Sequence, residues 1–178
     1  MKGDLKMRAL CGVFVIGAFI LAGCSGSQVS VKQVPGAETK PIHHIAIMPG
    51  SGILGDSIAK ELNDRGINVA PANEPDRMVG GIKINHLGVT ASQYYAALRN
   101  KGVDAAITAT ADMAEDGKPD KADARVMDTA SGESLMDIAW QNGWGGYGGS
   151  DADRVMRKGT SEAAQEMTKE LVTRLRLY

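Results

Sequence analysis

Leu62-Asn63-Asp64-Arg65-Gly66-Ile67 and Leu98-Arg99-Asn100-Lys101-Gly102-Val103 repeat one chemistry at two places in the chain. Each closes on an apolar residue, passes basic and amide side chains, turns at a glycine and resumes on a β-branched residue. A glycine there is suited to the left-handed C′ position that ends a helix. Upstream of the first copy, Leu54, Ile58, Ala59 and Leu62 recur at helical spacing. Upstream of the second, Ala91, Tyr94, Tyr95 and Leu98 do the same, opened by a capping-box pair at Thr90 and Gln93. Two helix-to-strand transitions predict β-α-β units and parallel strands.

Working outward, Ile45-Ala46-Ile47-Met48 is a short apolar strand stopped by Pro49-Gly50, and Ile67 to Ala70 and Val103 to Thr108 supply two more. Asp112 to Asp123 is polar and broken by Gly117-Lys118-Pro119, which reads as irregular. Arg125 to Asp128 and Leu135 to Trp140 flank Thr129-Ala130-Ser131-Gly132 as a hairpin, with Met136, Ile138 and Trp140 on one face by period two. Gln141 to Ser150 holds five glycines around Trp144 and Tyr147 and reads as a loop. A helical segment from about Asp151, then Gly159, leads to a closing helix with Ala163, Ala164, Met167, Leu171 and Leu175 as its stripe. The expected fold class is α/β: a mixed β-sheet with two β-α-β-type units, a C-terminal β-hairpin and a packed C-terminal helix.

The amino terminus carries Lys2, Lys6 and Arg8 against Asp4, then an uncharged run from Ala9 to Gly23. That run is short for a spanning helix, which needs about 20 apolar residues. It fits a secretory leader closed by small residues. Leu21-Ala22-Gly23-Cys24 resembles a bacterial lipobox, which makes Cys24 the lipid-bearing first residue of the mature chain. The expected organisation is residues 1–23 as lipoprotein signal peptide, 24–42 as a short lipidated tether and 43–178 as one α/β domain. Within the tether, Val29, Val31 and Val34 leave a strand laid on the domain as the alternative. Cys11 departs with the leader, so no disulfide is available. Losing three basic residues and one acidic residue moves the formal net charge from −1 to −3. No basic stripe of a nucleic-acid binder is present.

The chemical motifs are thin. Gly50-Ser51-Gly52-Ile53-Leu54-Gly55 matches G-x-G-x-x-G between a strand and a helix. Position 70 is Ala70, where a ribose-binding acid is expected, and Asn73-Glu74 follows Pro71. The string therefore reads as a tight strand-to-helix turn. His43 and His44 are adjacent in a strand and point to opposite faces, and His86 is alone, so no metal site is expected. The acidic run from Asp112 to Asp123 lacks EF-hand spacing, and Ser51 lacks the G-x-S-x-G frame of a nucleophile elbow. No catalytic, cofactor or metal residue is assigned and no enzyme is expected. Trp140 continues the hairpin's apolar face and is expected in the core. Trp144 and Tyr147 are the candidate partner-binding pair, since large aromatics anchor protein contacts.

Ile45 to Pro49 followed by Gly55-Asp56-Ser57-Ile58-Ala59-Lys60-Glu61-Leu62, then Gly102-Val103-Asp104-Ala105-Ala106-Ile107-Thr108, then Arg125-Val126-Met127-Asp128-Thr129-Ala130-Ser131-Gly132-Glu133 together resemble the curli-secretion-lipoprotein family. They also resemble the amino-terminal domain of the periplasmic Tol translocation protein. The resemblance covers about residues 42–175 and implies a fold and a compartment without any catalytic residue. The curli protein builds a pore from long amphipathic hairpins, and no pair of ~10-residue barrel strands is expected here. The small lipoprotein that activates a penicillin-binding protein is the closer functional type. Ser25, in place of an inner-membrane-retaining Asp, implies outer-membrane attachment facing the periplasm. The expectation is a non-enzymatic lipoprotein that binds or helps assemble another envelope protein, with no cofactor. Its partners are that protein and the bilayer, and homo-oligomerisation is left open. The alternatives are a subunit of a multimeric secretion or pore complex, and a hydrolase of unknown substrate.

Overall fold

The two echoed segments close their helices in the same way. Gly66 and Gly102 take φ of 81° and 83°. Their N–H groups donate to the carbonyls of Asn63 and Arg99 (both 2.8 Å), and those of Ile67 and Val103 reach back to Leu62 and Leu98 (3.1 and 3.2 Å). This is the paired Schellman pattern that satisfies helix-end carbonyls. The structure, a computed structural model, describes residues 26–70, 91–143 and 150–178. The capping pair at Thr90, together with His86, Cys24, Trp144 and Tyr147, lies outside the described residues.

In chain order the elements are β1 (Gln28–Gln33), a 3-10 turn (Ala37–Thr39), β2 (Pro41–Ile42), β3 (His44–Ile47), α1 (Gly52–Asn63), β4 (Asn68–Ala70) and α2 (Ala91–Asn100). β5 (Ala105–Met113), β6 (Pro119–Asp128), β7 (Ser134–Gln141), α3 (Asp151–Met156), α4 (Thr160–Arg174) and β8 (Arg176–Leu177) follow. One mixed sheet runs β1-β7-β6-β5-β3-β4. β3 pairs in parallel with β4 and β5, the result of the two crossover units. β5 to β6, β6 to β7 and β7 to β1 are antiparallel. β2 and β8 form a separate parallel pair.

α1 and α4 cover one face. Their apolar stripes meet Ile45 and Ile47 of β3, Ala105, Ile107 and Ala109 of β5, Ala122, Ala124 and Val126 of β6, and Met136, Ile138 and Trp140 of β7. The predicted stripe of the last helix, Ala163, Ala164, Met167, Leu171 and Leu175, is buried throughout. α2 covers only part of the opposite face, where Tyr94 and Leu98 pack on Ala46, Met48, Ala70, Val103 and Ala106. Ala91, expected on its buried side, is exposed.

Three expectations change. First, residues 28–33 are a sheet strand and not tether: Val29 and Val31 turn to the core opposite Trp140 and Ile138, while Ser30 and Lys32 face outward. Second, the stretch from Asp112 to Asp123 belongs mostly to β5 and β6, with only residues 114–118 left for the turn. Its buried positions are only Pro119 and Ala122, too few and too small to mark an apolar alternation in the sequence. Third, long strands are present, with 9, 10 and 8 residues in β5, β6 and β7. They are not lipid-facing barrel strands, because one face packs on helices and the other carries charge. Among the described residues no helix is long and apolar enough to cross a membrane.

Candidate functional site

β5 records where the cover of α2 stops. Ala105, Ala106 and Ile107 are buried in succession, and from Thr108 onward alternate residues are exposed. Beyond that point no described element covers the face of β5, β6, β7 and β1 turned away from α1 and α4. The pairing register lines its side chains into three rungs. Thr108, Arg125, Asp137 and Lys32 form the first, Thr110, Asp123, Ala139 and Ser30 the second, and Asp112, Lys121, Gln141 and Gln28 the third. Charges of opposite sign sit side by side, and cross-strand neighbours of this kind stabilise a sheet. Arg125 Nε donates to Asp137 Oδ1 at 2.5 Å. Tyr95, half-buried on α2, closes one side of a shallow depression of about 560 Å³ over this face. Burial raises the Tyr95 phenol pKa, opposed by the nearby Arg125 charge.

The strand ends next to the third rung carry a partly buried polar cluster. The indole N–H of fully buried Trp140 donates to Glu166 Oε2 of α4 at 2.7 Å. The Ser27 hydroxyl donates to the same oxygen, and Lys158 Nζ bonds Glu166 Oε1 and donates to Ser27 Oγ at 2.9 Å. Partial burial pushes the Glu166 carboxyl up, but hydrogen bonds from Lys158, Ser27 and Trp140 outweigh it and hold its pKa below the usual value. Asn142 donates to the carbonyls of Pro119 (2.7 Å) and Lys158 (2.9 Å). The cluster thus joins β1, β6, β7 and α4. Composition alone does not reveal it. The available signal is that a core tryptophan needs an acceptor for its N–H, and Glu166 lies beside the buried stripe of the last helix.

Residues of the recognisable motifs have structural partners. Asp104 Oδ2 accepts the N–H groups of His43 (2.8 Å) and His44 (3.1 Å), clamping β3 beside β5. The Thr129 hydroxyl is shared between the carbonyls of Val103 and Asp104 (2.6 and 2.9 Å). Asp128 accepts from Lys40 and from the N–H and hydroxyl of Ser131. Burial pushes its carboxyl up, and these donors bring its pKa below the usual value.

The G-x-G-x-x-G string is filled by its own serine. Buried Ser51 Oγ donates to Met48 O (2.7 Å) and accepts from Ala109 N–H (3.1 Å). A Cβ at Gly55 would stand 2.3 Å from Ser51 Cβ and 2.9 Å from Ile47 Cγ2, so this glycine permits close helix–strand approach. His43 stacks on Tyr178 with centroids 5.1 Å apart. Among the described residues no group of three or more His, Cys, Asp or Glu can hold a metal ion.

No protein-family model matches the chain, and no curated protein does. Solved structures do match. A methionine variant of the PelC dodecamer from Paraburkholderia phytofirmans aligns at TM-score 0.48 and 14% identity, over 85% of this chain and 100% of that one. A second crystal form of that dodecamer gives 0.46 and 14%, over 86% and 100%. The lipoprotein GNA1162 from Neisseria meningitidis gives 0.45 and 16%, over 73% and 96%.

Proposed function

We propose that this chain is a non-enzymatic lipoprotein of the cell envelope, anchored through Cys24, whose α/β domain binds other envelope proteins. The observation that carries the binding role is the open face. Among the described residues, three rungs of charges and hydroxyls stand uncovered on four strands whose other face packs on the core. Lys32, Arg125 and Asp123 offer a partner a charge pattern to match, and such complementarity sets specificity and encounter rate more than raw affinity. Trp144 and Tyr147 add aromatic anchors, and Ser25 after Cys24 directs the protein to the outer membrane. The hydroxyl of the motif serine and the ring of His43 already have structural partners, which supports a role without catalysis. A second reading is assembly from copies of this chain. Among the described residues, β1 and β4 have no strand on their outer sides, an arrangement open to strand addition.

The test combines metabolic labelling with a fatty-acid analogue and crosslinking in intact cells. Wild type takes up label and Cys24→Ala does not; equal labelling of both ends the lipoprotein reading. Ala at both Trp144 and Tyr147 lowers capture of the crosslinked partner, by about thirtyfold for each 2 kcal/mol hot spot. An unchanged yield removes those two residues from the interface. Light scattering of the detergent-extracted protein separates a monomer from the multimeric reading.

A further inference from the structure

The same end of the sheet that holds Ser27 is built from the start of β1, the end of β7, the start of β6 and the end of β5. The pairings Gln28 with Gln141, Gln141 with Lys121, and Lys121 with Asp112 establish this. The β5–β6 turn and α3 are tied together there: Lys118 Nζ donates to the carbonyls of Arg154 (2.6 Å) and Arg157 (3.0 Å), and Arg157 pairs with Asp116 and Asp120. Three of the exposed large apolar side chains among the described residues sit at this end, Met113 (51% exposed) at the last position of β5 and Val155 (81%) and Met156 (45%) on α3. Nothing among the described residues covers them.

Cys24 is three residues before Ser27. Three residue steps reach at most about 11 Å when fully extended. A domain of about 150 residues has a radius of gyration of about 15 Å. The leash is therefore shorter than the body it holds, and Ser27 is itself fixed to Glu166 and Lys158. From β1 to β5 the sheet spans three strand spacings, about 14 Å, which places the β5–β6 turn within the footprint such a leash allows.

Resting on the lipoprotein reading above, we propose that the end of the domain carrying Met113, Val155 and Met156 lies against the lipid surface to which Cys24 is attached. The opposite end, with the β6–β7 turn at residues 129–133, points away from the bilayer. The occupant of the apolar patch is the acyl and headgroup boundary of the anchoring membrane. Charge does not draw this end to the lipid: Arg157 is paired with Asp116 and Asp120, Arg154 with Asp151, and Lys118 is bonded to two backbone carbonyls. Salt consequently leaves the orientation unchanged. The rungs of the open face then stand roughly upright from the membrane, available to a partner alongside.

The mature lipoprotein has no cysteine beyond the acylated one, so single environment-sensitive fluorophores go on Val155→Cys, Met113→Cys and, at the far end, Glu133→Cys. The labelled full-length lipoproteins are reconstituted in phosphatidylethanolamine–phosphatidylglycerol vesicles carrying a lipid-attached spin-label quencher. Quenching several-fold stronger at 155 and 113 than at 133, unchanged by added salt, is the expected result. Equal quenching at all three sites, or stronger quenching at 133, overturns the orientation while fatty-acid labelling and vesicle flotation still report an intact anchor. Absent acyl label together with lost flotation overturns the lipoprotein reading, and the orientation with it. A Gly/Ser insert of about ten residues between Ser25 and Gly26, a flexible extension, should remove the difference between the two ends. A difference that survives the insert overturns the leash as its cause.

Discussion

At the scale of single residues, Trp140 and Glu166 show how a core tryptophan recruits a charged partner. The ring is fully buried while its N–H is bonded to the Glu166 carboxylate. Truncating so large a buried side chain costs about 3–5 kcal/mol, so denaturant unfolding of Trp140→Ala should show a loss in that range. Glu166 contributes through its charge. Its pKa is held below the ordinary 4.5 in the folded protein, so the unfolded chain binds the proton first as the pH falls. The stabilisation is complete above that ordinary value and is lost as the pH drops through the lowered folded value. Asp128, held below its ordinary 3.8, acts in the same direction. The thermal stability of wild type should therefore fall on acidification below about pH 4.5, and Glu166→Gln should flatten that slope. A slope identical in the variant would separate acid sensitivity from this cluster. Trp140 was legible from period two alone, whereas Ser27, Lys158 and Glu166 meet across sequence separations that no local pattern encodes.

At the scale of elements, glycines in this fold serve two different ends, and substitution distinguishes them. Gly66 has a left-handed φ with open space around it, while Gly55 lacks space for a side chain. Ala at Gly66 should cost about 1–2 kcal/mol for the left-handed backbone, and Asn, which tolerates that conformation better, should cost less. At Gly55 the order should reverse. Ala overpacks the α1–β3 contact by about 1–3 kcal/mol, and Asn, being larger, should be worse. Chemical denaturation of the four variants checks the crossing. The helix stripes and the helix-ending glycines were readable because their periods are local. The valines of β1 left tether and strand both open, and the facing ends of β5 and β6 were not readable, because alanines and half-covered valines become core positions only when α1 and α4 lie over them.

At the scale of the whole molecule, one sheet presents two faces: the packed face holds the domain together, and the other is the face proposed to receive a partner. Neutralising Lys32 and Arg125 to Gln should leave stability within about 1 kcal/mol, since exposed ion pairs such as Arg125 with Asp137 contribute little. The same double variant should reduce partner crosslinking in cells. Unchanged crosslinking would assign the open face no part in binding, and a large stability loss would make it structural. The sequence by itself determined the α/β class, the parallel units, the β6–β7 hairpin and the terminal helix, because periodicity and glycine caps act over a few residues. Only the tertiary structure decided that residues 28–33 belong to the sheet, that Asp104 clamps the β3 backbone and that Ser27 is fixed three residues from Cys24. Each of those depends on partners far away in the chain, whose positions exist only once the helices have closed over the sheet.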